Sequence, residues 1–340
     1  MLRICKFGSA PAGTHPELHG LCALYEEPHL GVSSELDSHL AMADGYIIYP
    51  HSDPLLSLSL LVAKQYNPDY AKKPVVMLHH EGALNPYIDL VRHLQAKGVV
   101  TQPEDALYQI AANAADAERI IKHSTAEHSH AVHETSAIIQ YKNSAHAQPK
   151  QPAITICVIG SYSTKDPAHT ELGTQIGAML HANGWGLIYG GSDKGMMGAF
   201  AKAAKGADGR GYVQAVIPKQ YLRGGIDAEM HDFIDRIDVT SDIYLRMTHM
   251  AKQSDILLAA PGGLGTAQEI AAFLRIKETD PSQKHKPLVL LNGDGFWNPM
   301  VQVLEQSGYH AGGDFIVATS LAQVEALAHT HAARGAGLCA

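Results

Sequence analysis

Thr266 and Glu269 stand three positions apart in the run Pro261-Gly262-Gly263-Leu264-Gly265-Thr266-Ala267-Gln268-Glu269. The apolar stretch Ile256-Leu257-Leu258-Ala259-Ala260 before it reads as a buried parallel strand, and Glu269 to Lys277 after it as a helix with apolar residues near helical spacing. A strand, a glycine loop and a helix start form a recurring phosphate holder. Glycines let the backbone approach an anion, and the orphan N–H groups of the first helical turn point at it. The Glu269 carboxylate then lies beside the anion. A second reading needs no ligand: Thr266-x-x-Glu269 also has the spacing of a capping box, in which hydroxyl and carboxylate satisfy orphan donors at a helix start.

Two earlier segments accompany this run: Tyr189-Gly190-Gly191-Ser192-Asp193-Lys194-Gly195-Met196-Met197-Gly198, and Tyr244-Leu245-Arg246-Met247. Together, in this order, the three resemble the signature of the LOG-type phosphoribohydrolases, also labelled lysine decarboxylase-like, and of the related bacterial nucleotide 5′-monophosphate nucleosidases. The family pattern is Pro-Gly-Gly-x-Gly-Thr-x-x-Glu, preceded by Tyr-Gly-Gly-Gly-x-x-Gly-x-Met-Gly and a Met-x-x-Arg-Lys segment. The resemblance covers roughly residues 153 to 335. Two positions depart from it: Ser192 replaces the third glycine, and Met247 replaces the lysine.

The resemblance implies hydrolysis of the N-glycosidic bond of a nucleoside 5′-monophosphate to free base and ribose 5-phosphate, with cytokinin riboside 5′-monophosphates among the candidate substrates. It implies Glu269 and Arg246 as catalytic residues. The phosphate and substrate contacts it implies are Gly160, Ser161, Gly190, Gly191, Met197, Gly198, Gly262, Gly263, Gly265 and Thr266. A carboxylate near the anomeric carbon can stabilise a ribosyl cation or take a proton from water, and a fixed guanidinium can orient the phosphate and keep the acid ionised. Without the resemblance, Arg246 would read as a surface helix arginine. The scheme asks for no metal and no cofactor, and no lysine is marked as a Schiff-base site for the old decarboxylase label. Family precedent implies a homodimer or larger homo-oligomer. The rival class is a non-catalytic nucleotide binder or cofactor carrier of the same fold, for which Met247 and Ser192 leave room.

The elements that must position these residues alternate strand and helix across residues 153–340. This predicts a Rossmann-like α/β fold, a parallel sheet with helices on both faces. Expected strands are Ile154 to Ile159, Gly186 to Tyr189, Tyr212 to Ile217, Ile256 to Ala260 and Leu288 to Leu291. Expected helices are Glu171 to Ala182, ended by Asn183-Gly184, one through Lys205, one bearing Arg246 capped by Thr240 or Ser241, and one from about Leu321 to Ala333. In such a sheet ligands sit outside the carboxyl ends of the strands, where the loops at Gly160-Ser161, Gly190-Gly191 and Gly262-Gly263 fall. The first loop lacks Gly-x-Gly-x-x-Gly, which disfavours a dinucleotide dehydrogenase, and no Gly-Lys-Ser/Thr loop for a triphosphate is present.

Residues 1–123 read as a shortened, degenerate copy of the same unit. Ala43-Asp44-Gly45-Tyr46-Ile47-Ile48-Tyr49-Pro50 parallels Ser254 to Pro261, and Ile4 to Ser9 parallels Ile156 to Ser161. Lys73-Pro74 and Asn85-Pro86 keep the spacing of Lys286-Pro287 and Asn298-Pro299. The segment matching Trp185 to Arg246 is mostly absent. Where the second half has its glycine loop the first has His51-Ser52-Asp53-Pro54-Leu55, with Leu58 at the Glu269 place. A proline and bulky side chains there block close approach by a phosphate. The copy is expected to be structural or regulatory, or a scaffold for a partner.

Ala106 to Lys122 reads as the closing helix of that domain. Residues 124–152 read as a polar linker with a short helix near Ala137-Ile138-Ile139, and His128, His130 and His133 lack the ligand spacing of a metal site. A net charge of −8 argues against a general nucleic-acid binder. Four cysteines without paired spacing, a polar N-terminus unlike a secretory signal and the lack of a membrane-spanning run predict a cytoplasmic protein.

Overall fold

The computed structural model describes residues 2–7, 21–26, 42–49, 52–79, 82–124, 138–142, 152–164, 166–222 and 229–337. The chain divides into two compact units, Met1–Glu134 with Pro299–Tyr309, and Thr135–Asn298 with His310–Ala340. Among the described residues no helix is long and apolar enough to cross a membrane.

The first unit holds a five-stranded parallel sheet of β1 (Leu2–Phe7), β2 (Leu21–Glu26), β3 (Gly45–Ile48), β4 (Val75–Leu78) and β5 (Gln109–Ala111), in the order β2-β1-β3-β4-β5. Its helices are α1 (Pro54–Tyr66), α2 (Pro68–Ala71), α3 (Asn85–Ala96), α4 (Glu104–Leu107) and α5 (Ala114–Ser124). The single closing helix expected over 106–122 is therefore broken. β5 pairs with β4, and Asn113 restarts the helix by accepting the Asp116 N–H on its side chain at 2.9 Å.

The second unit is organised on β7 (Thr155–Ile159), whose residues Ile156 to Ile159 are all buried. Burial of consecutive residues means that both faces of the strand are covered. In chain order the elements that follow are α6 (Pro167–Ala182), β8 (Gly186–Tyr189), α7 (Gly195–Lys205), β9 (Val213–Pro218), β10 (Arg236–Thr240), α8 (Ile243–Gln253), β11 (Ile256–Ala259), α9 (Leu264–Thr279), β12 (Leu288–Leu291), α10 (Asn298–Gln306, which groups with the first unit from Pro299 onward), β13 (Ile316–Ala318) and α11 (Leu321–Gly337). With β6 (Ile138–Lys142) they form one sheet in the order β13-β12-β11-β7-β8-β9-β10-β6, parallel except for β6 against β10. α6 and α7 approach closely because Gly177 lacks a side chain: a Cβ there would lie 2.2 Å from the Phe200 carbonyl oxygen.

Several local expectations are corrected. The short helix near residues 137–139 is instead strand β6, whose β-branched and aromatic residues suit an edge strand. Linker residues 125–137 and 143–151, including His128, His130 and His133, lie outside the described residues, as do Gly8, Ser9 and His51. α8 is capped by Asp242, not by Thr240 or Ser241; its carboxylate accepts the Leu245 N–H at 2.7 Å. α6 starts earlier than expected, at Pro167, with Asp166 as its cap.

The two units share local geometry where the sequence repeats. β2-β1-β3-β4-β5 has the order of β8-β7-β11-β12-β13. Tyr46 N–H donates to the Pro74 carbonyl at 2.9 Å, and Leu257 N–H donates to the Pro287 carbonyl at 2.9 Å. Gly82 (φ 79°) and Gly295 (φ 75°) each accept, three residues on, the N–H of the asparagine that opens the next helix. β2 fills the place of β8, so the missing segment corresponds to β9, β10 and α8.

Candidate active site

The sheet order creates a crevice. From β7 the chain proceeds to β8, β9 and β10 on one side, then returns to β11, β12 and β13 on the other. Loops leaving the carboxyl ends of β7 and β11 diverge at this switch point, where open α/β sheets bind ligands. Ser161, after β7, donates its N–H to the Pro261 carbonyl after β11 at 3.2 Å, and accepts at its own carbonyl the Met197 N–H from α7 at 3.2 Å. The three glycine-bearing segments thus meet at one edge.

The start of α9 excludes the capping-box reading of Thr266 and Glu269. Gly263 is the N-cap, which puts Thr266 at the third helical position and Glu269 at the sixth. A capping box requires the hydroxyl residue at the N-cap itself, so this helix has none. No side chain caps it. Ala267 is the first residue whose N–H closes on the helix, donating to the Gly263 carbonyl at 3.1 Å. The N–H groups of Leu264, Gly265 and Thr266 precede it and have no intrahelical acceptor. Two glycines of this loop differ in kind. A Cβ on Gly262 would lie 2.1 Å from Thr266 Oγ1, so the loop folds tightly over that hydroxyl. A Cβ on Gly265 would meet nothing within 4 Å.

Arg246, on α8, donates from Nη1 to Glu269 Oε1 at 2.7 Å and from Nε to the Val216 carbonyl at 3.0 Å. It is no surface arginine: 9% of Arg246 and 7% of Glu269 are exposed. The Cα–Cβ bonds of a helix tilt toward its N-terminus, which leans the Glu269 side chain back toward the uncapped end of α9. Burial raises the Glu269 carboxyl above its ordinary value of 4.5, while the Arg246 guanidinium pulls it down. Gly190 makes room for the arginine; a Cβ there would lie 2.2 Å from Nη2.

Other expected residues serve the frame. Gly191 holds a φ of 89°, and Gly160 lies where a Cβ would be 3.2 Å from Met196 Sδ. Met197 is in the core, and Gly198 closes on the Asp193 carbonyl, which a Cβ would meet at 2.0 Å. Met247, in the place of the family lysine, is fully buried.

Sequence reasoning missed what holds α8. Lys286 donates from Nζ to the Ala251 and Lys252 carbonyls at 2.7 and 3.3 Å, and Ser254 Oγ donates to Met250 at 2.9 Å. These are the terminal carbonyls of the helix bearing Arg246. The repeated Lys-Pro pair was the available signal, but spacing alone does not show that its lysine reaches back to another helix.

In the first unit the corresponding helix start is closed. Asp53 caps α1, its own carboxylate accepting the Leu55 N–H at 2.7 Å, and Leu58 is fully buried at the Glu269 place. A carboxylate of the chain sits where an anion would otherwise be received.

The family model described as "Possible lysine decarboxylase" matches residues 197–330. The cytokinin riboside 5′-monophosphate phosphoribohydrolase of Rhodococcoides fascians is 30% identical over 164 residues, 48% of this chain and 79% of that protein. The Arabidopsis thaliana enzyme of the same name, LOG7, is 33% identical over 153 residues, 45% of this chain and 67% of its own. The chain spans 60% of the length of a probable rice (Oryza sativa subsp. japonica) relative, LOGL2, at 31% identity over 45% of this chain. Among solved structures, the Moco carrier protein of Chlamydomonas reinhardtii is 26% identical with a TM-score of 0.41, covering 54% of this chain and 99% of that one. With the three signature segments at one sheet edge and relatives at this identity over most of their own length, the chain belongs to the LOG-type, lysine decarboxylase-like family.

Proposed function

We propose that the protein hydrolyses the N-glycosidic bond of a nucleoside 5′-monophosphate, releasing free base and ribose 5-phosphate. The observation that carries this reading is the 2.7 Å Arg246–Glu269 pair beside a helix start that no side chain caps. The 5′-phosphate is received by the N–H groups of Gly263 to Thr266 and the Thr266 hydroxyl, close to the positive end of α9. The C1′–N bond breaks as positive charge develops on the ribose, and the Glu269 carboxylate stabilises it. Water attacks C1′; Glu269 takes its proton, which passes to the departing base. Arg246 keeps the carboxylate ionised and oriented. The names of the relatives make cytokinin riboside 5′-monophosphates a first substrate class to try.

The test is release of free base and ribose 5-phosphate from AMP, GMP, CMP and a cytokinin riboside 5′-monophosphate. Glu269→Gln is expected to lower kcat by about 10²–10⁴-fold. The working form is the ionised one, so kcat rises with pH through the raised Glu269 value, with its acid limb above 4.5. The folded chain keeps this proton longer than the unfolded chain, so the contribution of Glu269 to stability falls across the same pH window. Undiminished turnover in Glu269→Gln sinks the reading. Tight nucleotide binding without turnover in the unaltered protein supports the second reading, a binder or carrier, which the buried, uncharged Met247 favours.

A further inference from the structure

Below α8, the chain buries a second polar cluster that the proposed chemistry does not use. Asp238 on β10 is fully buried in a strand otherwise suited to a core. Its carboxylate accepts from Arg236 Nε at 2.6 Å and Nη2 at 2.8 Å, from Gln214 Nε2 at 2.8 Å, and pairs with His249 Nε2 at 2.5 Å. His249 follows Arg246 on α8 by three residues, so the two side chains leave the same side of the helix. They also land on one rung of the sheet. Arg246 Nε donates to the carbonyl of Val216, and Val216 is the registered partner of Asp238 across β9 and β10.

We propose that His249 and Asp238 form a positioning pair that fixes the rotation of α8, and through it the aim of Arg246 at Glu269. Asp242 and Lys286 hold the two ends of α8; in the turn between them that carries Arg246, a single tether to the sheet leaves the roll of the helix open, and two tethers one turn apart close it. The third donor–acceptor contact, Arg246 Nη1 to Glu269 Oε1, is then set by the other two. A buried carboxylate is costly unless it is hydrogen-bonded, and the Arg236, Gln214 and His249 donors keep it in place as a rigid anchor. The inference rests on Arg246 and Glu269 being the catalytic pair, but it has a readout of its own.

His249→Leu removes the tether and keeps side-chain bulk; His249→Gln returns an N–H donor near the same place. In His249→Leu, kcat on the preferred monophosphate is expected to fall about ten- to hundredfold with KM within about twofold, as a misplaced catalytic group costs rate more than binding. Glu269 faces Arg246 from α8 and the Cys157 thiol from β7. A slackened Arg246 no longer pulls its carboxyl down, so the acid limb of kcat moves up by about half a pH unit or more. His249→Gln restores the limb, which a purely structural defect does not predict. Independently of turnover, the Arg246 Nε–H proton gives a slowly exchanging nuclear magnetic resonance signal in the full chain, absent in His249→Leu and present in His249→Gln. An unchanged signal in His249→Leu overturns the proposal. If no monophosphate is cleaved by the unaltered chain, the catalytic reading fails, while this signal still decides the positioning. Should His249→Leu not fold, Asp238→Asn beside His249→Gln carries the same measurement.

Discussion

Gly265 and Gly190 show how one residue type answers to two different demands. At Gly190 a side chain would collide with Arg246, so glycine there is required by the protein's own atoms. At Gly265 a Cβ would enter open space, and the backbone φ is not left-handed. The fold does not ask for glycine at the second position of α9; an approaching ligand would. Gly265→Ala is therefore expected to stabilise the chain by about 0.5–1 kcal/mol, since alanine loses less freedom in a helix than glycine. It should raise KM for a nucleoside monophosphate at the same time. Denaturant unfolding and steady-state kinetics on the same preparation check both signs, and an unchanged KM would mean that no ligand passes this point. The residue types of the candidate site were legible because spacing and family pattern name them. Whether Thr266 and Glu269 form a capping box was not, because that turns on whether α9 begins at Leu264 or three residues later. A glycine-rich start carries no capping side chain by which to place that boundary.

At the scale of elements, α8 carries the arginine of the proposed pair and is fixed along its length: Asp242 at its start, Arg246 and His249 onto the sheet, Ser254 and Lys286 at its end. Lys286 is 9% exposed, and burial lowers its pKa from the ordinary 10.5. Its Nζ compensates by serving the last carbonyls of α8, where a cation also meets the negative end of the helix. Lys286→Met keeps the aliphatic stem and removes those bonds. The expected loss is about 1.5–3 kcal/mol of stability, the range for hydrogen bonds made by a charged group, read by chemical denaturation. Long elements such as α9 and the buried strands were readable from periodicity. β2, β5, β6, β10 and β13 were not. Three residues, as in β5 and β13, hold no internal period to count, and what makes β6 and β10 strands is pairing with a neighbour distant in sequence.

At the scale of the whole molecule, the unit built on the eight-stranded sheet contains every residue of the proposed site, yet residues Pro299–Tyr309 group with the first unit. This segment is nearly all of α10, and Met300, Val303 and Leu304 on it are fully buried. The repeat seen in the sequence suggested two successive halves that could be cut apart. It could not show that a helix of the second half would be claimed by the first, since the pattern of α10 says only that one face is apolar, not what covers it. A fragment of residues 135–340 keeps Arg246, Glu269 and all three glycine segments but removes the remainder of the unit to which α10 belongs. Burial of each such aliphatic side chain contributes about 1.5–3 kcal/mol, so exposing three of them is comparable to the whole stability of a small domain. The fragment is expected to unfold at lower temperature than the full chain and to aggregate, even though the proposed catalytic residues are intact. Solubility after expression and thermal unfolding against the full chain measure this. A soluble fragment with an unchanged melting temperature would show that the first unit is dispensable for folding, and would return it to the role of a regulatory or partner-binding domain.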